Sequence, residues 1–390
     1  MRHHPNNPAD DLNVCQFQVK LDTTSHCNLR CGHCWMDAVR AQGYTFRNEV
    51  MPFELYSKIV ADLKGHVAGI ALSCGFEPLL NKEFARYVRH ARESGMPDLH
   101  FTTNGMLMTP ALARDLVEAG PDRILFSLDA VTEDNLAAIR TGATLEGVTS
   151  AIRMVRDEKT RLGIERPRLE INWVVLPANL DEMARLPALA ADCGADLVTL
   201  LPHQRWDGSV LAERPFDSAE RTHVLSAISH TRTECAARGL KLVDEWFLAT
   251  VPQESPRPQS GIRAIARRLR DRWTGRTTDA ADSVPFCCQP WEVMLVTSQG
   301  RIIPCYGALF DNIYGDFRTQ TLREIWESAA HRQLREGLKT RPDPNPTCAE
   351  CPNNRASNKS VAYHEPWGIE PERLRQAVPG ITRKQSKSAE

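Results

Sequence analysis

The sequence predicts an α/β fold in which parallel strands form one sheet and helices pack outside it. Three observations carry this expectation. Strand-like and helix-like segments alternate from residue 14 to residue 243. The first strand alternates apolar and polar residues cleanly, and later strands are short and apolar between helical patterns. Motif residues cluster immediately after the strands, where parallel folds gather their functional groups. Such alternation needs crossover helices, and fits either a doubly wound sheet or a barrel.

In chain order, residues 14–22 place Phe17, Val19 and Leu21 on one face and Gln16, Gln18, Lys20 and Asp22 on the other. A helix is expected over 52–63 and a buried strand over 70–73, ending at Cys74-Gly75-Phe76-Glu77-Pro78. Helix 82–93 precedes strand 99–103, which runs into Asn104-Gly105, and helix 110–119 precedes strand 123–129. Helix 144–159 leads to strand 168–176, helix 180–192 to strand 197–201, and helix 217–238 to strand 240–243.

These elements define a first domain over 12–247. Residues 248–285 are rich in Arg, Pro and Ser and contain Arg267-Arg268-Leu269-Arg270, which reads as a linker with one basic helix. A small α+β module is expected over 286–356, with a hairpin at 293–304 and a helix near 322–338, followed by a mobile charged tail over 357–390. A chain of 390 residues suits one large and one smaller domain.

The net charge of −1 gives no reason to expect nucleic acid or a membrane surface as a partner. No apolar run reaches the ~20 residues needed to span a bilayer, and the N-terminus lacks the apolar segment of a secretory signal. With twelve cysteines, metal-bound thiols in a reducing cytoplasm are expected rather than a disulfide framework.

The densest chemistry is Cys27-x3-Cys31-x2-Cys34, directly after the first strand. Three thiolates on one loop can hold three irons of a cubane cluster and leave the fourth open to a small molecule. A structural zinc would want a fourth ligand, and none lies nearby in sequence. The second set comprises Cys287-Cys288-Gln289-Pro290-Trp291, Cys305, Cys348 and Cys351. By residue type alone it fits a structural zinc and a second cluster equally.

At these motifs the chain resembles the radical S-adenosylmethionine (SAM) superfamily, whose signature is Cys-x3-Cys-x-aromatic-Cys, with His33 in the aromatic slot. The resemblance runs from about residue 14 to Cys351. It implies a partial (β/α)6 barrel and a 4Fe-4S cluster held by Cys27, Cys31 and Cys34, with SAM chelating the open iron. The C-terminal motifs resemble the SPASM extension. Because no cysteine follows Cys351, the shortened twitch form is implied, with one auxiliary 4Fe-4S cluster on Cys287, Cys305, Cys348 and Cys351. Cys287 is preferred to Cys288 because it gives the Cys-x-x-Pro-Trp spacing.

The resemblance also implies SAM contacts from Gly75, Phe76 and Glu77, where the family has Gly-Gly-Glu-Pro and this chain has Phe in the second Gly position. Asn104, Ser127, Asp129 and Asn172 are the further expected contacts, with Asn172 ranked above Asn179. A flavodoxin or ferredoxin is implied as reductant.

Strand parity turns Lys20, His100, Thr102, Glu170 and Asn172 inward, so the interior is expected to be polar and to hold a hydrogen-bonding small molecule. The expected reaction is generation of a 5'-deoxyadenosyl radical and oxidation of a secondary alcohol on an aminocyclitol, aminoglycoside or sugar-like natural product. Glu170, Lys20 or His203 would accept the proton. The alternatives are an epimerase, with Cys193 or Cys235 as possible hydrogen donors, a peptide-modifying maturase, which the short stretch before Cys27 disfavours, and a non-catalytic iron–sulfur or zinc protein.

Overall fold

The computed structural model describes residues 12, 16–45, 48–203, 216, 220–244, 287, 289–304, 313–340, 348 and 382–383. The expected linker, the Arg-rich segment, Cys288, Cys305 and Cys351 lie outside them.

Seven parallel strands form the barrel wall: β1 (Phe17–Leu21), β2 (Val67–Ala71), β3 (Leu99–Thr103), β4 (Arg123–Ser127), β5 (Arg168–Val175), β6 (Leu197–Pro202) and β7 (Lys241–Val243). They lie side by side in sequence order, and among the described residues the sheet does not close on itself. This is a partial barrel. Alternation on β1 explains its orientation: Phe17, Val19 and Leu21 are essentially inaccessible behind the sheet, while Lys20 faces the interior.

Helices α1 (Trp35–Ala41), α2 (Phe53–Leu63), α3 (Phe84–Glu93), α4 (Pro110–Ala119), α5 (Glu133–Ile139), α6 (Leu145–Leu162), α7 (Leu186–Cys193) and α8 (Arg221–Ala237) connect the strands. Their ends follow local rules. Thr109 and Thr144 cap α4 and α6 by accepting from Leu112 N and Gly147 N, and Gly120 and Gly163 end them in the left-handed region. The helix expected over 180–192 is instead a 3-10 turn (Pro177–Glu182) followed by α7. Pro187 lacks an N–H and suits a helix's first turn, so a new helix starts there. Cys193 and Cys235 are sealed in the helical shell, away from the interior cavity.

The hairpin expected in the C-terminal module joins the barrel's sheet. Its strand β8 (Val293–Val296) pairs in parallel with β1, Val19 opposite Met294 and Leu21 opposite Val296. Strands β9 (Arg301–Ile303) and β10 (Gly315–Asp316) continue the sheet antiparallel. Pairing on β8 relieves β1 of an open edge, and the apolar Val-Met-Leu-Val segment is buried there. Phe17 stacks on Trp326 at 5.2 Å, and Lys58 Nζ donates to Phe317 O at 2.7 Å across the same seam. The helix expected over 322–338 is two, Leu322–Trp326 and Ala329–Thr340. In the region expected to be a mobile tail, Thr382–Arg383 pairs with Tyr44–Thr45. No helix among the described residues is long and apolar enough to cross a membrane.

Candidate active site

A cavity of about 850 Å³ lies inside the open barrel. Cys27, Cys31 and Cys34 line the end where the strands terminate, with Gly75, Phe76, Glu77 and Asn104 beside them. His100, Arg123, Arg168 and Glu170, at or near the starts of β3, β4 and β5, line the opposite end, and Lys20, Thr102, Ser127, Asn172 and Thr199 the wall between. Val296, Thr297 and Ile303 of the C-terminal hairpin form part of the wall.

The cysteine loop is held by its backbone. Arg30–Cys31 pairs antiparallel with Arg140–Thr141, Gly32 N donates to Ile139 O at 3.0 Å, and Glu77 N to His26 O at 3.0 Å. Gly142, at φ +97°, lies against this loop, and a Cβ there would stand 3.1 Å from Leu29 Cδ2. Three N–H groups point at sulfur: Leu29 N and Asn104 Nδ2 at Cys27 Sγ (3.5 and 3.9 Å), and Arg140 Nη1 at Cys31 Sγ (3.7 Å).

Burial pushes the Cys27 thiol up to about 11 and Cys34 to about 12, and raises Cys31 as well. These thiols therefore hold their protons unless a cation joins them, and iron bound by Cys27, Cys31 and Cys34 would supply that charge. Among the described residues no three His, Cys, Asp or Glu side chains gather tightly enough for a single metal ion. A cubane asks for less convergence, since each thiolate binds its own iron. Three soft donors on one loop with N–H groups at their sulfurs fit a cluster of that kind.

Two buried carboxylates fix the adjoining loops. Asp22 accepts from Cys74 N at 2.7 Å and Gly75 N at 3.1 Å. Glu77 accepts from Leu79 N (3.1 Å), Thr103 Oγ1 (2.6 Å) and Asn104 N (2.8 Å). Burial raises both to about 7, with those hydrogen bonds opposing it. Glu77 thus joins the ends of β2 and β3, and Asn104 is carried into the site. A Cβ on Gly75 would lie 3.2 Å from the Trp35 indole nitrogen, so the first Gly position is sterically constrained. Phe76, in the second, meets the Trp35 ring edge to face at 5.4 Å.

Asp129 differs from the expectation that it faces SAM. It is fully buried, is absent from the cavity wall, and accepts from Arg140 Nε (2.6 Å) and Val174 N (2.7 Å), with His33 Nε2 at 3.5 Å. Strand parity fails here because β4 stops at Ser127. Arg140, unmarked in the sequence, lines the cavity instead. Asn179 is a turn residue, its Nδ2 donating to Asp129 O and Val174 O.

Of the expected proton acceptors, Lys20 lines the cavity, and burial, aided by Arg123, lowers its pKa. Glu170 is already bound by Arg123 Nη1 (3.4 Å) and Arg168 Nε (2.7 Å), and Arg123 also holds Asp98 at 2.7 and 2.9 Å. His203 is buried behind His33, ring centroids 6.2 Å apart, and is not among the residues lining the cavity. Cys74, unforeseen as a site residue, does line it. In the C-terminal module Cys287 and Cys348 are half-buried against the core.

Comparison with known proteins accords with this geometry. Residues 21–186 match the radical SAM superfamily and 287–352 the SPASM iron–sulfur cluster-binding domain. The chain is 24% identical to the "Tungsten-containing aldehyde ferredoxin oxidoreductase cofactor-modifying protein" of Pyrococcus furiosus, covering 90% of this chain and 92% of that one. It is 26% identical to the "AdoMet-dependent heme synthase" of Methanosarcina barkeri, covering 82% and 84%. The crystal structure of Streptococcus suis SuiB bound to S-adenosylmethionine superposes with a TM-score of 0.62 at 14% identity, over 87% of this chain and 71% of that one. The domain matches imply a 4Fe-4S cluster with SAM and auxiliary iron–sulfur binding. The chain carries a radical SAM domain over residues 21–186 and a SPASM iron–sulfur cluster-binding domain over residues 287–352.

Proposed function

We propose that the chain oxidises a secondary alcohol of a polar small molecule of the aminocyclitol, aminoglycoside or sugar-like class. Cys27, Cys31 and Cys34 would hold the SAM-binding cluster, and Cys287, Cys305, Cys348 and Cys351 the auxiliary one. When bound, these groups supply a hydrogen-abstracting carbon radical and an acceptor for one electron. Asn104, Ser127 and Asn172 would orient SAM and substrate, and a flavodoxin or ferredoxin would deliver the reducing electron.

The observation that carries this reading is the convergence of polar side chains, Lys20, His100, Thr102, Glu170 and Asn172, on a cavity whose wall is otherwise largely apolar. Burial and Arg123 favour the neutral amine of Lys20, which suits it to accept the hydroxyl proton. Glu170 is the weaker candidate because two arginines already engage it. The relatives named above act, by their names, on a metalloenzyme cofactor and in haem synthesis. They support radical chemistry without singling out an alcohol.

The test is anaerobic turnover with SAM, a low-potential reductant and candidate polyols. The expected product is two hydrogens lighter, with one SAM consumed per product. Lys20→Met should lower kcat by about 10²–10⁴ while SAM binding is retained. Unchanged kcat would remove Lys20 from the reaction, and no mass change with any polyol would sink the oxidation.

One observation favours an epimerase as second reading: Cys74 brings a thiol to the cavity wall, which Cys193 and Cys235 do not. Solvent deuterium entering a product of otherwise unchanged mass, abolished by Cys74→Ala, would select it.

A further inference from the structure

We propose that Arg140 sets the reduction potential of the SAM-binding cluster through its N–H···S contact with Cys31. The proposal rests on the reading that Cys27, Cys31 and Cys34 hold that cluster. Arg140 faces Cys31 because their backbones pair directly, residue opposite residue. Its Nη1 lies 3.7 Å from Cys31 Sγ and its Nε 2.6 Å from Asp129 Oδ2. Asp129 is in turn fixed by Val174 N at the end of β5. The guanidinium is thus bound on one side and directed at sulfur on the other, with little freedom to turn away.

Adding an electron to a cluster makes its sulfurs more negative. A cationic donor at one sulfur stabilises that form more than the oxidised form, and hydrogen bonds to cluster sulfurs are among the terms that set such potentials. Arg140 therefore makes the cluster easier to reduce. Asp129 opposes it: the carboxylate aims the guanidinium and also offsets part of its charge. The two residues should act with opposite sign, which a merely structural role would not produce.

The experiment is a redox titration of the anaerobically reconstituted full-length protein, following the EPR signal that responds to SAM. In Arg140→Gln, the ratio of reduced to oxidised cluster at a fixed potential should fall about tenfold, equivalent to about 59 mV for one electron. Arg140→Lys, which keeps the charge, should recover part of that loss. In Asp129→Asn the ratio should rise.

An intact cluster with an unshifted ratio in Arg140→Gln overturns the proposal while leaving the cluster assignment standing. If Arg140→Gln loses its cluster, Asp129→Asn decides, and a ratio that does not rise overturns the proposal. If the wild-type protein shows no SAM-responsive signal, or Cys31→Ala keeps it, the cluster assignment has failed and the proposal falls with it.

Discussion

The two ends of the barrel both bury carboxylates, but they satisfy them differently. At the cysteine end, Asp22 and Glu77 accept mainly from backbone amides at strand ends. At the opposite end, Glu170 is held by the side chains of Arg123 and Arg168. Backbone donors belong to the sheet and cannot rotate away, whereas arginines can. The first arrangement ties the loops to the strand ends. The second places charge without fixing backbone, and suits an end that must fit a substrate. The backbone-held carboxylates lie where the cofactor would bind.

The sharpest way to break this contrast is Glu77→Ala. It leaves the Asn104 and Leu79 amides and the Thr103 hydroxyl without their acceptor in a buried place. Loss of such a partner costs roughly 3–5 kcal/mol. Chemical denaturation should show that loss, and SAM binding should weaken with it because Asn104 is no longer held. A cost below about 1 kcal/mol would mean that the loop does not depend on Glu77.

Asp22 gives the next effect, as a pH dependence. Its folded pKa, about 7, lies above the ordinary carboxylate value, chiefly through burial. A raised folded pKa means that the folded chain holds the proton more tightly, so this contribution to stability is present at low pH. It is lost as pH rises towards 7. The stability of wild type minus that of Asp22→Asn should fall by roughly 2–3 kcal/mol between pH 5 and pH 7, read from urea midpoints and slopes. A difference that is flat with pH would contradict the burial argument.

The fold is legible in the sequence where chemistry and geometry are local. Each strand from β1 to β7 was legible from alternation or an apolar run, and parity correctly turned Lys20, His100, Thr102, Glu170 and Asn172 towards one space. Parity misled at Asp129, two residues beyond the last paired residue of β4, because the strand and its period of two end at Ser127. Arg140 was invisible because Arg140-Thr141-Gly142 resembles any charged turn. Only its long-range pairing with Arg30–Cys31 gives it meaning. The docking of β8 on β1 was equally hidden, since an apolar hairpin does not announce its partner strand. Asp22 stood on the polar face of the first strand, but nothing local marked it as a clamp for Cys74 and Gly75.

The smallest expected effect tests the other end of the barrel. Glu170→Gln keeps the size of the side chain and one acceptor oxygen but removes the charge that Arg123 and Arg168 share. Arg123 retains Asp98, with contacts of 2.9 and 2.7 Å, so it is not left alone. The Arg168 side chain is 42% exposed and can turn to water. Solvent screening therefore reduces the value of its ion pair, and the stability cost should be about 1 kcal/mol. Substrate binding should respond more than stability, because two guanidinium groups on the cavity wall lose a shared counterion. KM for a charged substrate would then move while the urea midpoint barely does. If Glu170→Gln instead costs as much as Glu77→Ala, the two ends are equally rigid, and the contrast between backbone-held and side-chain-held carboxylates fails.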